Sequence, residues 1–325
     1  MRKAVLILLG LAVAIAAAEA IIVWQVHLDP RRLAAFLVCF ALLLSVFAGF
    51  SHTLLVKWLR QMALRSAVLA AGMPFLLLVP YLIYSLGTGV FNVLALGKLA
   101  VYLAAPTLLL LPDRHRRPDR VGWRDFAAML ALAVPISADW LGGIWTWPED
   151  LYFFRPIFAV CVGAYAFLVV RNLDGVGYRL TFRKGDLVDG AINFAGFALI
   201  GIPLGLALGF LHFRPQGVSF WTLAFQLVAI YLTIAVPEEF LFRGILQNFL
   251  VRSLHGTRHN LYGLVIASVI FGAAHLHHAP VPNWRYALLA ALAGMFYGNA
   301  FRTRQRLSAA ALTHTLVDTA WHFWF

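Results

Sequence analysis

Residues 219–243 read SFWTLAFQLVAIYLTIAVPEEFLFR. From Ser219 to Pro237 no residue is charged, and Glu238, Glu239 and Arg243 then follow within six positions. A hydrocarbon core about 30 Å thick needs about 20 apolar residues per helix, so this stretch predicts a membrane span over 219–241. A charge inside the bilayer costs about 2.5–3.5 kcal/mol on insertion scales. Three ionisable groups at the end of one span therefore demand partners or a function.

The same apolar pattern extends in both directions. Further spans are predicted at 4–24, 33–53, 67–86, 91–112, 126–146, 154–171, 190–212, 261–277, 285–301 and 307–325. The chain is 62% hydrophobic and 12% charged, with a mean hydropathy of +0.81. A soluble domain is about 45–50% apolar and about 25% charged. Disorder is excluded by the abundance of aliphatic and aromatic residues. A disulfide scaffold is excluded by two cysteines, Cys39 and Cys161, both in apolar runs. A β-barrel would alternate in short segments. The expected fold class is all-α, a polytopic transmembrane helical bundle of about eleven helices.

The net charge is +12. In a soluble protein that would suggest nucleic acid. Here the base lies in alternate connections: Arg114, Arg116, Arg117, Arg120 and Arg124; Arg179, Arg183 and Lys184; Arg252 and Arg258; Arg302, Arg304 and Arg306. The connection 87–90 has none, and 147–153 carries Glu149 and Asp150. This alternation predicts an N-terminus inside and a C-terminus outside, with Arg31 and Arg32 on the unexpected side. No nucleic-acid partner is expected. The first span, opened by Arg2-Lys3 and continuing past Ala16-Ala17-Ala18 into Ile21 and Ile22, reads as an uncleaved signal anchor. The expected location is a membrane, the plasma (inner) membrane in a bacterium. The polar stretch 172–189 divides the chain into 1–174, about six helices without an assigned function, and 175–325.

Ionisable residues fall inside the spans at Glu19, Asp139, Glu238, Glu239, Arg243, His275, His314, Asp318 and His322, most of them in the last 90 positions. Neighbouring residues of a helix project about 100° apart, so Glu238 and Glu239 are not expected to share a partner. Glu239 and Arg243, at i and i+4, can pair along one face. Glu238 is left uncompensated, which suits a general base, and Pro237 should bend the helix there. In a helical hairpin turning near Thr257, Glu238 and His275 lie equally far from the turn and can face each other. Gly272, Ala273 and Ala274 allow close helix approach. His314 and Asp318 share one face of the last helix. Each motif alone has a structural reading: an ion pair, an interfacial histidine, a helical His–Asp pair. Together they bring carboxylates and imidazoles from three helices into one apolar region. That set can activate water and hold an oxyanion, or supply three ligands to zinc.

Glu-Glu-x-x-x-Arg at 238–243, Phe-x-x-x-His at 271–275 and His-x-x-x-Asp at 314–318, in this order on successive helices, resemble the three motifs of the CPBP family. These are the CAAX proteases and bacteriocin-processing enzymes, also called the ABI family, which include the type II CAAX prenyl endopeptidase. The resemblance covers residues 175–325 and leaves the preceding helices unaccounted for. It implies that Glu238 activates water, that His275 assists, and that His314 and Asp318 stabilise the oxyanion, with Glu239–Arg243 as structural support. The last motif position is commonly Asn in the family, and an ionised Asp318 could not donate to an oxyanion. The family has been described both as metal-dependent and as a metal-free glutamic protease. The glutamic reading is favoured, with no cofactor; in a metal-dependent enzyme Glu238, His275 and His314 would bind zinc.

The expected function is an intramembrane endopeptidase acting on a membrane-associated protein or peptide, with the lipid bilayer as its surroundings. Two rivals remain: a non-catalytic immunity or membrane interaction protein, since family members are associated with bacteriocin self-immunity and abortive infection, and a proton-coupled transporter. The transporter lacks support from any inverted repeat.

Overall fold

A computed structural model describes residues 29–254 and 257–325 of the 325-residue chain. The expected span 4–24, with Glu19 and the Arg2-Lys3 flank, lies outside the described residues. Among the described residues there are eleven helical segments and no strand. They are α1 Pro30–Gly49, α2 Thr53–Arg65, α3 Ala67–Thr88, α4 Val93–Asp113, α5 Trp123–Ser137 and α6 Phe154–Val170. Then follow α7 Lys184–Ala207, α8 Phe220–Ser253, α9 His259–Ala273, α10 Trp284–Arg304 and α11 Leu307–Trp324. The protein is a polytopic helical bundle, as the apolar runs predict.

Five of these helices, α1, α3, α4, α7 and α8, are long and apolar enough to cross a membrane. α6 and α9 are apolar but shorter. α10 and α11 are long enough but carry the arginines and the His–Asp pair, which lower their hydropathy. Two elements differ from the hydropathy reading. α2 is an additional helix of 13 residues, too short and too basic to register as a span. Its Arg60 donates to the carbonyl of Val169 at 2.9 Å and to those of Val170 and Arg114, closing the otherwise unpaired carbonyl end of α6. The span expected at 126–146 ends early: α5 stops at Ser137 and turns follow. Asp139, at φ 51°, lies outside the helix, exposed, and pairs with Arg155. It belongs to a surface ion pair, not to a charge cluster within the membrane.

The described residues divide into two compact units between Asp174 and Gly175. In the first, α1 packs along α3 and α6. Phe36, Phe40, Trp145, Phe154 and Phe158 form its aromatic core. Arg171 and Asp125, both fully buried, pair at 2.8 Å and tie the end of α6 to the first turn of α5. Breaking such a pair by removing one partner costs about 3–5 kcal/mol.

In the second unit α10 lies centrally, against α7, α9 and α11. A Cβ on Gly272 of α9 would collide with the carbonyl of Ala287 on α10. Glycine there is what permits the close approach that small residues suggested. The start of α11 is fixed to α7 by buried Asp186, which accepts from Arg306 Nε at 2.9 Å and Ser308 Oγ at 3.0 Å. Arg306 is thus a buried structural cation as well as part of a basic connection. α8, at 34 residues and about 1.5 Å per residue, outruns a hydrocarbon core of about 30 Å. It widens into π-type turns at Tyr231–Ala235 and Phe240–Gln247. These flank the turn containing Pro237, whose missing N–H removes one ladder bond. Single π-type interruptions often occur at functional sites.

Candidate active site

The site is assembled around His314. This side chain, 4% exposed, projects from the middle of α11. Its Nδ1 lies 2.9 Å from Glu239 Oε1. Its Nε2 lies 3.4 Å from Asp318 Oδ2, one turn along the same helix, and 3.9 Å from Glu238 Oε2 on α8. The two glutamates of α8 therefore share one imidazole, one at each ring nitrogen, contrary to the expectation from a regular helical projection. The π-type turns on either side of Val236–Glu239 change the angular register that a period of 3.6 residues assumes.

Glu239 is fully buried and also accepts from Arg243 Nη1 at 3.0 Å. The expected i, i+4 pair is present. Arg243 goes further: its Nη2 donates to the carbonyl of Gly294 on α10 at 3.0 Å. Its guanidinium lies 4.5 Å from the Phe271 ring centroid and 5.3 Å from that of Tyr297. A desolvated cation–π contact contributes about 2 kcal/mol. A Cβ at Gly294 would stand 3.0 Å from Arg243 Nη2, so the smallest residue leaves room for the guanidinium. One turn on, Gln247 donates to the carbonyl of Gly298 at 3.2 Å. α8 is thereby fastened to the backbone of α10 by two successive side chains.

The opposite face of His314 is covered by Tyr297, whose ring stacks at 4.5 Å and 15°. Phe271 meets it edge-on at 5.9 Å. Ring stacking and three carboxylate contacts leave the imidazole little freedom to rotate. Glu238 contrasts with Glu239 in exposure: its side chain is 35% exposed and that of Glu239 is fully buried, while the Oε2 atom of each is buried without a hydrogen-bond partner. It is a half-buried carboxylate whose one ion-pair contact is the 3.9 Å approach to His314 Nε2.

His275 lies in the turn two residues past the end of α9. Its Nδ1 is 2.8 Å from the carbonyl of Phe271, and its ring packs on Tyr286 at 4.7 Å. Among the described residues no hydrogen bond or ion pair joins it to Glu238; His314 is the histidine at that carboxylate. α9 ends before His275, and α8 is locally widened beside Glu238. Phe271 nevertheless links the two histidines, with one at its edge and the other bound to its carbonyl. His277 and His278 continue outward beside Tyr286 and are exposed. Among the described residues no group of three His, Cys, Asp or Glu side chains is so placed as to hold a metal ion.

Asp318, 24% exposed, lines a cavity of about 520 Å³ together with Arg214, Gln226, Ile230, Trp321 and His322. His322 thus continues the polar stripe of α11 away from His314. Two functional features escaped sequence reasoning: the bond from Glu239 to His314, and the Tyr297 stack. The first is invisible because Glu239 already had a partner in Arg243. The second is invisible because Tyr297 is one of many aromatics in apolar sequence.

Residues 219–320 match the family described as type II CAAX prenyl endopeptidase Rce1-like. No curated protein and no solved structure matches the chain significantly. The matched segment runs from the start of α8 into α11 and contains Glu238, Glu239, Arg243, His275, His314 and Asp318; α7, the 208–218 connection and the last five residues lie outside it. Through these helices and the carboxylate–imidazole cluster they enclose, residues 219–320, about a third of the chain, are similar to the type II CAAX prenyl endopeptidase Rce1-like family.

Proposed function

We propose that residues 175–325 form an intramembrane endopeptidase domain in which Glu238 acts as general base on a water molecule. The observation that carries this reading is the contrast between the two glutamates. Glu239 is fully buried and its Oε1 is taken by both Arg243 and His314, whereas the Glu238 side chain is 35% exposed and its nearest cation-forming group, His314 Nε2, stands 3.9 Å away. The water gives a proton to Glu238 as its oxygen attacks the scissile carbonyl carbon. The C–N bond of the tetrahedral intermediate then breaks, and Glu238 returns the proton to the leaving amine.

The oxyanion is met by His314. In the doubly protonated ring both nitrogens donate, Nδ1 to Glu239 and Nε2 toward Asp318 or the substrate oxygen. A donor fixed in advance stabilises developing charge without reorganisation. Asp318 orients His314 in this scheme. With Nδ1–H donated to Phe271, a neutral His275 keeps a lone pair at Nε2 for a water molecule at the rim of the site. The substrate is a membrane-associated protein or peptide, and in a bacterium the enzyme resides in the plasma membrane. No step requires a metal.

Purified protein in proteoliposomes is expected to cleave an S-farnesylated reporter peptide, and Glu238→Gln is expected to abolish cleavage while leaving the protein folded. Full activity of that variant would overturn the reading. Activity is expected to survive exhaustive chelation; inactivation by chelator and recovery with zinc would establish a metal enzyme instead.

A further inference from the structure

α2, Thr53–Arg65, carries none of the active-site groups and lies outside the matched segment 219–320. At about 1.5 Å per residue its 13 residues reach about 20 Å, short of a hydrocarbon core of about 30 Å. A turn of about 100° per residue divides its surface into three arcs. One packs on the protein: Ala63 is fully buried, and Val56, Leu59 and Arg60 are half-buried. A second is apolar and open: Leu55 and Trp58 are exposed, with Met62 half-buried beside them. The third is polar and open: Lys57, Gln61 and Arg65 stand at i, i+4 and i+8, with Leu54 and Leu64 at its borders. A helix wholly among acyl chains would leave the polar stripe unsolvated, and a helix wholly in water would leave Leu55 and Trp58 uncovered. A helix in the headgroup region serves both, and tryptophan is enriched at that depth.

The neighbouring connection continues this surface. Arg60 donates to the carbonyls of Val169 and Val170 at the end of α6 and of Arg114 just after α4, so α2 and the connection 113–124 share one end of the first unit. That connection carries five arginines against Asp113 and Asp119. Asp113 is shared by Arg116 and Arg124 at 3.5 Å each, and Asp119 pairs with Arg117 at 3.1 Å. Arg120 is exposed beside these pairs. Among the described residues Lys57 and Arg65 have no ion-pair partner. At the other end of α5 and α6, Asp139 and Asp150 share Arg155 and Glu149 is exposed, so these two helices have one cationic end.

We propose that α2 lies along the membrane surface and that Lys57 and Arg65, with Arg120 of the neighbouring connection, bind the phosphates of anionic phospholipids, while Leu55, Trp58 and Met62 enter the acyl boundary. Lysines and arginines clustered on an amphipathic helix select anionic over zwitterionic headgroups. The inference is independent of the protease reading. It gives the first unit, which contributes none of the reacting groups, a lipid-recognition surface.

The test uses the full-length protein, with phosphatidylglycerol and phosphatidylcholine supplied in equal amounts in detergent and the bound lipids counted by native mass spectrometry. A cation at an anionic surface contributes about fivefold, so the wild type is expected to favour phosphatidylglycerol by about 10- to 100-fold. Lys57→Gln/Arg65→Gln should lose most of that preference, and Arg120→Gln part of it. Equal retention of the two lipids by the wild type, or a preference that Lys57→Gln/Arg65→Gln leaves intact, overturns the proposal. Should the double variant fail to fold, Lys57→Gln and Arg65→Gln taken singly decide: a loss of about fivefold in each supports the surface, and no loss in either overturns it. Placement is tested separately by labelling with a water-soluble maleimide in nanodiscs containing phosphatidylglycerol, where both membrane faces are open and the native Cys39 and Cys161 are buried. Gln61→Cys should react readily, whereas Leu55→Cys should be shielded by acyl chains; equal rates overturn the surface orientation.

Discussion

Glu239 Oε1 is 2.9 Å from His314 Nδ1. The same oxygen receives Arg243 Nη1 at 3.0 Å, and Arg243 in turn reaches the α10 backbone at Gly294. A motif read along one helix as a local ion pair is therefore the hinge pin of three helices, and it ends on the imidazole that the proposed mechanism places at the oxyanion. In the proposed mechanism, the placement of His314 and the stability of the unit are coupled through this carboxylate.

Glu239→Ala strands the buried Arg243 charge and frees His314. Removing one partner of a buried pair costs about 3–5 kcal/mol. We expect a lower unfolding temperature in detergent and loss of cleavage together. Glu239→Gln, which can still accept from His314, should lose less of both. Unchanged stability in the alanine variant would show that Glu239 does not hold the helices.

Glu238→Gln should behave in the opposite way. Its Oε2 has no partner to lose, so stability should stay within about 0.5 kcal/mol of wild type. Loss of a general base lowers the rate by about 10²–10⁴-fold. Thermal unfolding and reporter cleavage measured on the same preparation separate this variant from Glu239→Ala.

Asp318→Asn tests the role of the last motif residue. Asparagine can still accept from His314 Nε2, 3.4 Å away, and its amide adds a donor. The variant should retain activity or gain it, whereas Asp318→Ala should lose about 10²–10³-fold if the residue supports oxyanion binding. Equal, full activity of both variants would remove Asp318 from the mechanism.

Asp186→Ala is the structural control. Its carboxylate holds Arg306 and Ser308 far along α11 from His314. We expect destabilisation of about 3–5 kcal/mol with normal kcat per folded molecule at low temperature. A kcat defect at full folding would mean that the α7–α11 clamp also sets the active-site geometry.

Much of this protein was legible from hydropathy because each predicted span beyond residue 28 falls on a helix. Length was the weak point. α5 stops at Ser137, since turns at 138–153 can be as apolar as a helix, and α2 was missed because a 13-residue basic helix has no hydropathy signature. The three motifs named the family, and the match over 219–320 supports that resemblance. The pairing of side chains was another matter. Counting outward from Thr257 set Glu238 and His275 at similar depth but gave no sign that the His314 imidazole stands 3.9 Å from Glu238. Counting assumes regular 3.6-residue turns, and α8 departs from them on both sides of Pro237.

The sequence by itself determined that this chain is a membrane bundle and which polar residues stand inside it, because the bilayer filters residue types over about 20 positions at a time. Tertiary structure alone decided which of those residues meet. Hydrogen bonds reach only about 3 Å, so the different contacts of Glu238 and Glu239 and the tethering of His314 depend on helix rotation and packing that no one-dimensional pattern records.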